Sequence, residues 1–148
     1  MTDASVFDRI RGSFERQSAM TTIGARLTEA RPGTVTIELP KGEHILQQNS
    51  FIHGGVLGMI ADSACGYSAL TLAPPDKTVL TSEYKINLLA PAVSDHYEAV
   101  GKVIRAGRRV VVVQGDVYGI SADGRERKHI AIMLATLMLV DKTPGMVD

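Results

Sequence analysis

Apolar and polar residues follow three different rhythms along the chain, and each change of rhythm marks a change of element. In residues 5–17, Val6, Ile10, Phe14 and Gln17 recur at helical spacing, with Phe7 beside them and charges between. That spacing predicts a short amphipathic helix lying as a cover over something apolar. Residues 23–27 and 35–39 then alternate in two short runs broken by Arg31-Pro32-Gly33, the pattern of a β-hairpin. A polar loop is expected over 41–50. From 53 to 73 the chain offers Val56, Leu57, Met59, Ile60, Ala61, Ala64, Ala69 and Leu70 with little polar interruption, and Pro74-Pro75 must end any helix there. A helix apolar on nearly every side is predicted to be buried.

Beyond the prolines the rhythm is that of strands: 78–89, 96–105, 108–120 and 127–140, with turns at Pro91, Ala106-Gly107 and Ala122-Asp123-Gly124. The order of helix, hairpin, long helix and four strands predicts an α+β fold, an antiparallel sheet wrapped around one long central helix. The alternative of a membrane span over 56–73 fails on chemistry. Those 18 residues barely reach the ~17–25 a spanning helix needs and carry Asp62, Ser63, Tyr67, Ser68 and Thr71. A lone acid at mid-bilayer costs ~2.5–3.5 kcal/mol.

Composition narrows the partners. A chain of 148 residues is the size of one domain, 1–148, with residues 1–20 forming the helical cover. Sixteen Lys and Arg balance sixteen Asp and Glu, so the basic excess that draws proteins to nucleic acid or anionic lipid is missing. With 45% hydrophobic residues the chain is too apolar for disorder. A single cysteine, Cys65, makes no internal disulfide and suits a reducing cytoplasm; set in an apolar helix, it is expected to be a packed, inert thiol. The four histidines, at 44, 53, 96 and 129, lack metal-ligand spacing, so no metal is expected. Asp3, Asp8 and Glu15 interrupt the amino-terminal residues, which therefore do not read as a secretory signal.

Between His53 and Asp76 the one residue charged at neutral pH is Asp62, in the middle of the helix just argued to be buried. An ionised carboxylate there is costly unless it is hydrogen-bonded or put to use. It either caps a small polar stripe with Ser63 and Ser68 or does chemistry. The start of the same helix favours chemistry. His53-Gly54-Gly55 presents two backbone N–H groups, free of side chains, where the first N–H groups lack partners and the dipole is positive. Such an end can polarise a carbonyl and hold the oxyanion formed on attack. Gly54 and Asp62 stand eight residues apart, ~12 Å along a regular helix, whereas reacting atoms must approach to ~3–3.5 Å. The halves therefore meet only between two copies packed about a two-fold axis with antiparallel central helices, a homodimer with two interfacial sites.

These residues carry a resemblance. Gln47, His53-Gly54-Gly55 and Asp62, then Glu83-Tyr84-Lys85-Ile86-Asn87 leading to Ala90-Pro91-Ala92, then Gly107-Arg108-Arg109 resemble the PaaI-type branch of hotdog-fold acyl-CoA thioesterases, over residues 20–140. The resemblance implies a hotdog fold and hydrolysis of an aryl or medium-chain acyl-CoA to a carboxylic acid and coenzyme A. Coenzyme A is then part of the substrate, and no cofactor is expected. It implies Asp62 as nucleophile or general base, the Gly54 N–H on the thioester carbonyl, Gln47 orienting the reactants, and Thr81 ordering the attacking water. Where some relatives place a Ser or Thr one turn after the acid this chain has Gly66, which leaves that support to Thr81. His53 is read as polar support to the loop or carbonyl rather than as a proton carrier. Gly55, Met59 and Gly66 are expected along the substrate pocket, with Tyr67 and Leu70. Arg105, Arg108 and Arg109, which flank a hairpin turn, are either a solvated rim or a contact to the phosphates or ribose of coenzyme A.

Two other functions fit the same fold. A hydratase or dehydratase would shuttle a proton through a His and an acid, and here the His is tied to the Gly-Gly turn. A non-catalytic acyl-CoA sensor would be expected to lack the helix acid or to carry a DNA-binding extension. The dimer, or a tetramer of two dimers, remains open at this level.

Overall fold

The computed structural model describes residues 3–148; Met1 and Thr2, within the expected helical cover, lie outside the described residues. Helix α1 (Asp3–Phe14) turns Val6, Ile10 and Phe14 inward, as their spacing predicts, and packs on the first strand. A second, short helix, α2 (Ser18–Ile23), follows where the sequence pattern had begun a strand. The hairpin expected at 23–27 therefore starts later. Met20 and Ile23, one turn apart, are both buried, and Gly24 closes the helix at φ +77° with its N–H on Thr21 O while the Ala25 N–H reaches Met20 O. This is a Schellman end, and its left-handed residue is where glycine loses least.

Strands β1 (Arg26–Arg31) and β2 (Thr34–Pro40) form the hairpin around Pro32-Gly33. The loop expected at 41–50 holds one turn of 3-10 helix, Glu43–Ile45, which buries Ile45. Helix α3 (Gly54–Leu70) comes next, then β3 (Lys77–Leu88), β4 (His96–Ala106), β5 (Val110–Ile120) and β6 (Arg127–Asp141). The six strands make one antiparallel sheet in the order β1-β2-β4-β5-β6-β3. The segment around Pro91 is therefore a crossover rather than a hairpin turn: β3 lies at the far edge against β6, and the chain crosses the sheet to place β4 against β2.

α3 lies across the inner face of this sheet, packed on β2, β3, β4, β5 and β6. Close approach is bought with glycine: a Cβ on Gly101 would stand 2.3 Å from Ala64 O, and one on Gly115 2.8 Å from Cys65 Sγ. Leu57, Ile60, Ala61, Ala64, Cys65 and Leu70 are thereby sealed against Val35, Ile37, Tyr97, Val113 and Met133 in one contiguous core. Each large side chain so buried contributes ~1.5–3 kcal/mol. Burial on every side of α3 does not hold. Gly55, Met59, Asp62 and Gly66, at helical spacings of four, three and four, form a stripe that stays exposed or half-buried. Among the described residues, no helix is long and apolar enough to cross a membrane.

Candidate active site

The side of α3 that carries Gly54, Gly58 and Asp62, next to the open stripe, runs beside the edge strand β3, antiparallel to it. Gly54 abuts Leu88, Gly58 faces the Tyr84 hydroxyl, and Asp62 meets Thr81. The Thr81 hydroxyl donates to Asp62 Oδ1 at 2.8 Å. Burial pushes the Asp62 carboxyl above its ordinary range, and the Thr81 hydrogen bond offsets part of that rise. A half-buried carboxylate with one hydroxyl donor and apolar walls is a stronger base than an aspartate in water. Its neighbour Cys65 is fully buried, and its thiol is pushed up to about 12, first by burial and then by the charges of Asp62 and Asp116. It has no path to thiolate chemistry at neutral pH.

Asp62 and Thr81 open into a cavity of about 540 Å³. Gly66, Tyr67, Leu70, Val79 and Leu80 supply much of its wall. The sequence pattern did not foresee two further groups of lining residues: Ser13, Arg16 and Gln17 around the turn between α1 and α2, and Met146, Val147 and Asp148 from the segment after β6. Within it Ser13 Oγ donates to the Tyr67 hydroxyl and Ser63 Oγ to Gln17 Oε1, both at 3.4 Å. The polar spacing of Ser13, Arg16 and Gln17 was a usable signal for the first group; the last segment has no periodicity to read.

At the other end of the stripe, His53 caps α3. Its Nδ1 accepts the Gly55 N–H at 2.9 Å. Of the two N–H groups expected to face a substrate, Gly55's is therefore taken by the imidazole, and His53 serves as an N-cap. The Gly54 N–H finds no acceptor among the described residues. It opens with Gln47 into a second pocket of about 370 Å³, walled by Phe51, Ile52, Leu57, Leu88 and Leu89. The Gln47 side-chain oxygen accepts from the Asn49 N–H, which leaves its NH₂ group to donate.

The expected site residues thus fall into two groups in one chain, Asp62, Thr81 and Gly66 in the larger cavity and Gln47 and Gly54 in the smaller. Gly55 and Met59 line neither; they lie on the exposed stripe between them. Arg105, Arg108 and Arg109 are exposed at the β4–β5 turn and pair with no carboxylate among the described residues. The turn sits at the Thr81 end of the sheet: the Leu139 N–H donates to Arg109 O, and Leu139 faces Val79, two residues before Thr81.

Residues 49–121 match the family model of the thioesterase superfamily. The chain superposes with TM-score 0.88 on a thioesterase family protein from Silicibacter pomeroyi, 37% identical, over 93% of this chain and 99% of that one. It superposes with TM-score 0.84 on the PaaI protein of the E. coli phenylacetic acid degradation operon, 16% identical, over 97% and 99% of the two chains. Among curated relatives, a Saccharolobus solfataricus protein named an esterase is 30% identical over 62% of this chain, and the match spans 65% of that protein's length, just under two thirds. The 1,4-dihydroxy-2-naphthoyl-CoA hydrolase of Listeria monocytogenes is 28% identical over 62% of this chain and 74% of its own. With its antiparallel sheet wrapped around one central helix, the chain has the hotdog fold expected from its sequence and belongs to the thioesterase superfamily.

Proposed function

We propose that this protein hydrolyses acyl-CoA thioesters to the free acid and coenzyme A, at two sites built between two copies of the chain. The observation that carries the reading is the division of α3 into an acid half, Asp62 with Thr81, and a donor half, the unpaired Gly54 N–H with Gln47. β3 offers the means of joining them. Its outer edge has no partner strand among the described residues, and it exposes Leu80 at 51%, Tyr84 at 48% and Leu88 at 56%. Apolar edges of this kind mark association surfaces. A two-fold axis at Lys85 pairs the two β3 strands antiparallel and, with the bulge between Thr81 and Glu83 counted, sets Thr81 of one copy against Leu88 of the other. Since Thr81 carries Asp62 and Leu88 abuts Gly54, the same operation brings acid to donor.

In that arrangement the Gly54 N–H polarises the thioester carbonyl, with the Gln47 NH₂ beside it. Asp62 as its carboxylate either takes a proton from a water ordered by Thr81, which attacks the carbonyl carbon, or attacks directly to form an anhydride that water then cleaves. The C–S bond breaks in both cases, and the sulfur leaves as the thiol of coenzyme A after protonation. The Gly54 N–H stabilises the oxyanion more strongly than the ground-state carbonyl, which is what speeds the step. His53, its Nδ1 committed to the helix cap, has the wrong posture for the proton shuttle of a hydratase. The relative named for a naphthoyl-CoA supports coenzyme A thioesters as the substrate class. The free arginines at the β4–β5 turn are the candidates for its phosphates.

The test is thiol release from a panel of aryl and medium-chain acyl-CoAs, followed with a thiol-reactive dye. Hydrolysis of at least one member, lost in Asp62→Asn, is the expected result. Binding of acyl-CoA without thiol release would leave a sensor, and the mechanism would fall.

A further inference from the structure

The segment that follows β6 lines part of the larger cavity and is held there by an ion cluster the proposed chemistry does not use. Asp148 is its centre. Arg9 Nε and Nη2 each stand 3.1 Å from one of its carboxylate oxygens, and Lys142 Nζ lies 2.7 Å away. Arg16 Nη2 donates to the Asp148 backbone oxygen at 2.9 Å. Two of these cations are themselves tied to the connection between α3 and β3, Arg9 through Ala73 O at 3.1 Å and Lys142 through Pro75 O at 2.8 Å. The Arg9 and Asp148 side chains are only 16% and 20% exposed, so the pair is shielded from water and salt more than a surface pair. Burial alone would raise the Asp148 carboxyl, yet the Arg9 and Lys142 hydrogen bonds hold it below its ordinary range. It stays ionised at any pH where Asp62 is.

The clamp fixes the position of Met146 and Val147. Val147 is largely exposed, whereas Met146 is half-buried, and both line the cavity that begins at Asp62, together with Leu70, Val79 and Leu80. The segment thus adds Met146 and Val147 to a cavity otherwise lined by residues near the first helix, by α3 and by β3. Met146 is an unbranched, adaptable side chain suited to an apolar wall.

We propose that Met146, held in place by the Asp148 clamp of Arg9, Arg16 and Lys142, is the outer wall of the acyl chamber and sets the largest acyl group this protein hydrolyses. The inference rests on the thioesterase reading and adds to it the residues that decide acyl size. They lie far from Gly54 and Gln47 and belong to the same chain as the Asp62 they serve.

The experiment measures kcat/KM for straight-chain acyl-CoAs from four to sixteen carbons, with benzoyl-CoA and 2-naphthoyl-CoA as the aryl pair, in the full-length protein and in Met146→Ala and Asp148→Asn. The wild type is expected to reach an optimum and then fall. One methylene too many against an apolar wall costs roughly ten-fold or more. Met146→Ala should recover roughly ten-fold of the activity lost one step beyond the optimum, and Asp148→Asn should flatten the fall. The naphthoyl-to-benzoyl ratio should rise in the same variants. An unchanged size profile in Met146→Ala, or a uniform drop for every substrate, overturns the assignment while leaving the hydrolase reading intact. Wild-type protein that releases thiol from no acyl-CoA overturns both.

Discussion

The two ends of the open stripe on α3 are built on opposite electrostatic terms. At the amino end, the helix dipole and the unpaired Gly54 N–H favour negative charge, and His53 occupies the neighbouring Gly55 N–H so that one donor is left. In mid-helix, a carboxylate sits where burial disfavours charge, and Thr81 returns only part of what burial removes. In the proposed mechanism the first region receives the oxyanion and the second a proton, and the two act only together. The ~12 Å of helix between them explains why they open into separate pockets.

The largest effect is expected from breaking the acid half. Asp62→Asn keeps the shape and removes the charge, so turnover should fall by ~10²–10⁴-fold in a thiol-release assay. Stability should move the other way. The folded protein holds the Asp62 proton more tightly than the unfolded chain, so the stability this group contributes is fully present below the ordinary aspartate pKa and is lost as pH rises through the raised one. At neutral pH, thermal unfolding of Asp62→Asn should therefore occur at a temperature no lower than wild type; a clear drop would mean the carboxylate is structural.

Breaking the donor half should cost slightly less. Gly54→Pro deletes the N–H at the first helical position, where proline is well tolerated. His53, at φ −59° and ψ 132°, already has the extended ψ a following proline demands, and a Cβ at this position would press on the flexible end of Leu88 at 2.8 Å. Turnover should fall on the order of 10²–10³-fold. Mixing this variant with Asp62→Asn under subunit exchange should restore part of the activity, because a mixed dimer has one intact site. A dead mixture after verified exchange would refute the joining of the halves across β3.

Smaller effects sharpen the contrast between recognition and chemistry. Arg105→Ala or Arg108→Ala should raise KM for acyl-CoA by roughly ten- to a hundred-fold with turnover at saturation little changed, since such contacts are made equally in ground and transition states. A pantetheine thioester without the nucleotide should be indifferent to both, and equal losses on the two substrates would make the arginines structural. The smallest effect belongs to Thr81→Val. Removing the donor that lowers the Asp62 pKa should shift the acidic limb of the kcat/KM profile to higher pH, because the ionised form is the active one. An unmoved limb would separate Thr81 from Asp62.

Much of this was legible in the order of residues, for reasons that can be named. Val6, Ile10 and Phe14 specify a buried helix face because helical spacing is a local property. The long run ending at Pro74-Pro75 specifies α3, and the sole acid within it stands out as Asp62 because an unexplained charge in an apolar helix is costly wherever it lies. The hairpin start misled because Ile23 alternates like a strand residue, while Gly24 lets α2 end in a Schellman turn and so puts Ile23 on its buried face.

The sequence by itself determined the first helix, the long central helix and the run of strands, the acid and the glycine end of one helix, and the distance between them, since rise per residue and the cost of a buried charge need no tertiary context. Which strand lies at the edge, that His53 takes one of the two glycine N–H groups, and that Ser13, Gln17 and Met146 stand around Asp62 were decided by the tertiary structure alone. Strand order depends on crossovers and a cavity wall on residues more than eighty positions apart, and contacts of that kind leave no period in the chain.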